Sequence, residues 1–153
     1  MLKSVVATLG NALVKRGISR PHAFPKAWRM ARQNRFFAKA VGVTIGSRQE
    51  ALKRLAQYGR DMVRVYLVHE SNNPVDSNAV AVVVAVAGKG EYKAGYLPKE
   101  GASLLARVID KLGGQLAAIL ENITGGGDRK YGLNISYALG GGMSRPVRKE
   151  CER

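Results

Sequence analysis

The chain has 153 residues, 25 lysines and arginines against 11 acids, and a formal net charge of +14, a size that suits one domain with an appendage and that buries about two-thirds of the unfolded surface. Its single cysteine, Cys151, excludes an intrachain disulfide and a thiol cluster for a metal, and points to a reducing compartment, read as the cytoplasm. No apolar run reaches the roughly 18 residues of a membrane span, because "VVATLGNALV" is broken by Thr8, Gly10 and Asn11, so no membrane partner is expected.

Charge is unevenly spread. Residues 1 to 40 hold nine basic residues and no acid, while residues 41 to 153 carry only +5. Clustered lysine and arginine gain most from neutralising phosphates and releasing counterions, which suggests nucleic acid or an anionic membrane, and nucleic acid, DNA before RNA, is the expected partner. The same arginine-rich, acid-free start also has the composition of an organellar transit peptide.

In chain order, "LKSVVATLGNALVKR" sets Leu2, Val5, Val6, Leu9 and Leu13 on one helical stripe. After "GISRPHAFP", a second helix is expected over 25–40, with Pro25 in its first turn. Arg29, Arg32, Arg35 and Lys39 would then lie along one side as a phosphate-tracking row, with Trp28, Phe36 and Phe37 nearby as stacking or docking groups. From residue 41 the texture changes. "VGVTIG" reads as a strand, and "SRQEALKRLAQYG" as a helix opened by a Ser47/Glu50 capping box and stopped by Gly59.

"MVRVYLVHE" alternates like a half-buried strand, and "AVAVVVAVA" is a fully buried one. Between them lies "ESNNPVDSNA". "YKAGYLP" is a further strand, "KEGASLLARVIDKLGG" a second inserted helix, and "QLAAILENIT" and "YGLNISYAL" the last two strands, joined by a flexible "GGGDRK". The expected organisation is a basic helical arm at 1–39, an α+β domain of six short strands with two inserted helices at 40–139, and a disordered basic tail at 140–153.

Enzyme signatures are missing. His22 and His69 belong to no metal-spaced cluster, the glycine runs lack the phosphate-cradling GxxxxGK[ST] order, and no cofactor is expected. Glu70 and Asp76 remain as a minimal carboxylate pair that a metal-dependent nuclease would need.

"AVGVTIGSRQEALKRL", "VRVYLVHESNNPVDSNAVAVVV", "AGYLPKEGASLLARVID" and "AAILENITGG" together resemble the HIRAN domain family, most specifically in the NPxDxNA run followed by "GYLP". The resemblance spans about residues 40 to 139 and implies a small OB-like β-barrel that binds DNA without catalysis. Members joined to a motor capture the 3′-hydroxyl end of single-stranded DNA and support the remodelling of stalled forks, and other members stand alone in bacteria and phages. It implies that Asp76, flanked by Asn73, accepts a hydrogen bond from the terminal sugar hydroxyl. Basic groups further along the site, here Arg129 and Lys130, would hold phosphates.

Three departures stand at the expected site. Val75 replaces a tyrosine, Thr44 and Ile45 replace an arginine and a tyrosine on the first strand, and Ile123 and Thr124 replace a stacking aromatic. Tyr66, Tyr96 and Tyr131 are the candidate substitutes. Read from the residues alone, the loop also has a purely structural role, since Pro74 fixes its own φ and Asp76 and Asn78 can brace a wide turn.

The sequence therefore reads as a non-enzymatic DNA-binding protein for single strands or ends, serving replication, repair or a mobile element. The alternative is an adaptor subunit of a larger nucleoprotein complex.

Overall fold

The computed structural model describes residues 2–33 and 35–139. The expected tail, with Cys151, lies outside the described residues. α1 (Leu2–Lys15) follows the apolar spacing of its sequence and buries Val5, Val6, Leu9 and Leu13. It packs on α2 (Arg20–Arg32) through a smooth stripe of buried Ala23, Ala27 and Ala31. Gly10 makes this close approach possible, since a Cβ there would stand 2.4 Å from the Phe24 ring.

The helix expected over 25–40 differs at both ends. It starts earlier because the Ser19 carbonyl accepts the first bonds, from His22 and Ala23 N–H at 3.0 and 2.8 Å. Pro21 then occupies the first turn, where a missing N–H costs nothing, and Pro25 lies inside the helix. The helix stops at Arg32 because Phe36–Lys39 form strand β1, with alternate residues turned inward. Phe36 stacks on Tyr137 with centroids 5.6 Å apart, whereas Phe37 is 70% exposed. Hence Arg29 and Arg32 stay on α2, Arg35 falls between the elements, and Lys39 belongs to the sheet. The single helical row of four cations does not form.

Five more strands complete the sheet: β2 (Val63–His69), β3 (Val80–Val86), β4 (Gly90–Tyr96), β5 (Gln115–Gly126) and β6 (Arg129–Tyr137). Their order is β1-β6-β5-β2-β3-β4, every neighbour antiparallel. β3 carries the most apolar stretch, and Val80, Val82 and Val84 are fully buried. β5 and β6 run closer together than the expected flexible link implies, since Gly126 pairs with Arg129 and only Gly127 and Asp128 turn the chain.

"VGVTIG" is not a strand. Only Val41 pairs, with Tyr96, through two backbone bonds of 2.8 and 2.9 Å, before the chain turns at Gly42 and Gly46, both at positive φ. This one pair joins the two ends of the sheet, β1 at one edge and β4 at the other, into an OB-like architecture closed at a single point. Gly95 makes the closure possible: a Cβ there would lie 2.6 Å from the Val41 carbonyl oxygen.

Two helices are inserted, as expected. α3 (Arg48–Leu55) ends short of Gly59, and its capping box is not made: Ser47 sits at φ −88°, ψ 11° with no side-chain bond to the helix. α4 (Lys99–Lys111) seals the core with Ala102, Leu105, Ala106, Val108 and Ile109. α1 packs on α4, so the basic N-terminal segment shares the core of the domain rather than trailing from it.

Candidate nucleic-acid interface

Strand alternation decides what β1, β6 and β5 show to solvent. Their inward residues, among them Phe36, Leu133, Ile135 and Tyr137, belong to the core or pack against it. The opposite face carries Phe37, Lys39 and Asn134, with Lys39 opposite Asn134 and Phe37 opposite Ser136, which is itself fully buried and donates to Glu121 at 2.5 Å. Asn134 donates to Asn122 at 2.8 Å across the β5–β6 pair. The Arg35 guanidinium lies 5.9 Å from the centre of the Phe37 ring and 3.7 Å from Glu121. Gly132 leaves the strand bare here, and the Lys39 ammonium and Thr124 hydroxyl fill the space a side chain would take. An exposed aromatic, two cations and a pair of amides thus share one shallow surface.

This surface continues into the loops. Gln49 on α3 donates to the carbonyls of Val43 and Tyr131 at 3.0 and 2.9 Å and accepts from the Tyr131 N–H at 2.8 Å. It therefore fixes the 42–46 turn, which bears Thr44 and Ile45, against β6. Beside it a shallow cavity of about 300 Å³ is lined by Gln49, Lys53, Asp128, Arg129, Lys130 and Tyr131, among others. Arg48 ties the other side of the turn, donating to the Gly42 carbonyl at 2.7 Å with its guanidinium 5.5 Å from the Tyr96 ring centre.

Tyr96 links this turn to the "ESNNPVDSNA" loop. Its hydroxyl donates to Glu70 at 2.8 Å and accepts from Lys93 at 2.9 Å, and Lys93 pairs with the other Glu70 oxygen at 2.5 Å. Burial would raise the Glu70 pKa, but the bonds from Lys93, Tyr96 and Asn73 outweigh it and hold the carboxyl below its ordinary value. Glu70 in turn raises the Lys93 pKa.

Inside the loop, Asn73 accepts from the N–H groups of Val75 and Asp76 at 2.9 and 3.2 Å, and Asp76 accepts from the Asn78 N–H at 2.9 Å. These are turn-bracing bonds. They leave Val75 at the tip, 93% exposed. On the far side of the loop His69 faces acceptors at both ring nitrogens, Asp110 at 2.9 Å and the Ser77 carbonyl at 2.7 Å. Burial pulls its pKa down, yet the bonds to Ser77 and Asp110 prevail and raise it.

The structure thus links Asn73 to the turn bearing Thr44 through Glu70, Tyr96 and Arg48, sets Arg129 and Lys130 at the cavity beside Gln49, and leaves Lys39 and Arg35 at the β1–β6 face. Arg29 and Arg32 remain outside on α2, where the Arg32 guanidinium covers Trp28 at 5.0 Å. Of the tyrosine candidates, Tyr96 is the hub of the loop network. Phe37, Arg48, Gln49 and Lys93 were not singled out by sequence as one site, because only the register of β1 and the Val41–Tyr96 pair bring them into one neighbourhood.

The HIRAN domain profile matches residues 33–138. The chain belongs to the HIRAN domain family. A solved structure similar to it is the crystal structure of the HIRAN domain of human HLTF, at 22% identity and a TM-score of 0.41, covering 67% of this chain and 74% of that one. No curated protein sequence matches the chain. The HIRAN domain is a DNA-binding module, so nucleic acid is the partner class. The matched span begins ahead of β1 and takes in that strand, which the sequence boundary at residue 39/40 assigned to the arm. α1 and the whole of α2 precede it.

Proposed function

We propose that this HIRAN-domain protein binds single-stranded DNA on the β1–β6–β5 face and the loops beside it, without catalysing a reaction on the strand. The observation that carries this reading is Phe37, an exposed ring held next to Arg35 and Lys39 on an otherwise polar strand face. A base stacks on such a ring regardless of its identity, and the cations meet the backbone on either side. The lost aromatics at Val75, Ile45 and Thr124 argue for general strand binding over end capture. Asp76 has one oxygen committed to the turn, which fits the same reading.

A cytoplasmic role in replication, repair or a mobile element, within a larger nucleoprotein assembly, suits a chain with this charge. The test is a titration of labelled single strands, duplexes and 3′-tailed duplexes, with the same DNA incubated in magnesium. Tighter binding to single strands with uncut DNA is the expected result. Cleavage would restore the nuclease reading, and no binding to bare DNA would favour an adaptor.

A further inference from the structure

A second basic feature lies away from this face. Between α1 and α4, and reaching Asn78 at the end of the loop, is a cleft of about 630 Å³. α1 lines it with Thr8, Asn11, Ala12 and Lys15, spaced so that they share one side of the helix, and α4 with Ser103, Arg107, Asp110 and Lys111. The opposite sides of both helices are the buried apolar stripes. Two helices that join one core therefore turn polar, basic flanks toward each other across an open groove.

The charge there is not balanced from within. The one acid, Asp110, gives both its oxygens to His69, at 2.9 and 3.0 Å. Arg16 is held at the rim by the Glu100 carbonyl and the Ser103 hydroxyl. No ion pair among the described residues engages Lys15, Arg107 or Lys111. The C-terminal ends of α1 and α4 contribute about half a negative charge each. With Asp110 they still leave roughly two of the four positive charges uncompensated.

We propose that this cleft is a second binding site, which takes the phosphodiester backbone of a DNA strand. The inference rests on the single-strand reading above and extends it to α1, a helix outside the matched family span. The Thr8 hydroxyl is spent on the Ser4 carbonyl at 2.9 Å, so the side-chain amides of Asn11 and Asn78 supply the neutral donors to phosphate and sugar oxygens, and the pinned Arg16 offers its remaining N–H groups without a further loss of side-chain freedom. Because Asn78 belongs to both the loop and the cleft, a strand can pass from one site to the other around the loop.

The test is an amide chemical-shift titration of the labelled full chain with a single-stranded oligonucleotide, paired with salt-dependent affinities of Lys15→Gln/Lys111→Gln. Shifts are expected at 8–16 and 107–111 as well as on the sheet face. The double variant should make the slope of log affinity against log salt shallower by about 1.4, some 0.7 for each phosphate released from a single strand. Shifts confined to the sheet face, with the slope unchanged, would overturn the cleft and leave the single-strand reading intact. No shifts anywhere would overturn both. Loss of binding to phosphatidylserine vesicles in the variant, with DNA affinity unchanged, would assign the cleft to a membrane surface and likewise overturn the proposal.

Discussion

His69 holds the "ESNNPVDSNA" loop from below through two acceptors, and an imidazole satisfies both only when both nitrogens carry protons. Its folded pKa lies above the ordinary value, so its contribution to stability is complete below about pH 6.5 and is lost as pH rises through the folded value. Melting temperature measured from pH 5.5 to 8.5 should fall on the alkaline side, and His69→Gln should flatten that part of the profile. Asp76 is the complementary case. Its carboxylate caps the Asn78 N–H, so Asp76→Ala should cost about 1 kcal/mol, a drop of about 2–4 °C in melting temperature. Affinity for strands ending in 3′-hydroxyl and 3′-phosphate should fall alike. A selective loss for the hydroxyl end would instead give Asp76 the end-reading role that the family resemblance implied.

Among the elements, β1 and the single pair that closes the sheet matter most. Phe37 is largely exposed, so Phe37→Ala should leave the melting temperature unchanged while weakening single-strand binding by about 1–3 kcal/mol, the usual worth of one base–aromatic stack. Gly95→Ala should act in the opposite way, driving a Cβ into the Val41 carbonyl and costing about 1–3 kcal/mol of stability as overpacking does. Both are read by thermal melts alongside anisotropy titrations.

These two elements are also where sequence reasoning was weakest. Strong periodicity made α1, α4 and β2 readable, and the unbroken apolar, β-branched run of "AVAVVVAVA" made β3 readable as a buried strand. "FFAK" is too short to reveal its period, and helix-forming neighbours on one side drew it into α2. The "VGVTIG" run has the apolar pattern of a strand, but two glycines at positive φ turn the chain after one paired residue. Of the interface, the NPxDxNA loop was legible because its turn residues act locally. The neighbourhood of Phe37, Arg48, Gln49, Lys93 and Tyr96 was not, since it depends on pairings between distant strands.

For the whole molecule, the N-terminal charge is not an appendage. α1 and α2 are built into the core through Leu9, Leu13 and the alanine stripe, so deleting them should destabilise the domain as well as remove cations. Val82→Asp should unfold it outright, because an unpaired charge at a fully buried strand position outweighs the roughly 5–15 kcal/mol that holds a domain together. A cooperative melt of that variant would contradict the assigned core.

The central claim is that the basic strand face and loops grip the backbone of a single strand. The affinity of the intact chain for a single-stranded oligonucleotide, measured across a range of salt concentrations, tests it most directly. Engagement of about four to six phosphates predicts a linear fall in log affinity against log salt, with a slope of about −3 to −4. A slope near zero, or no binding at low salt, would contradict the account.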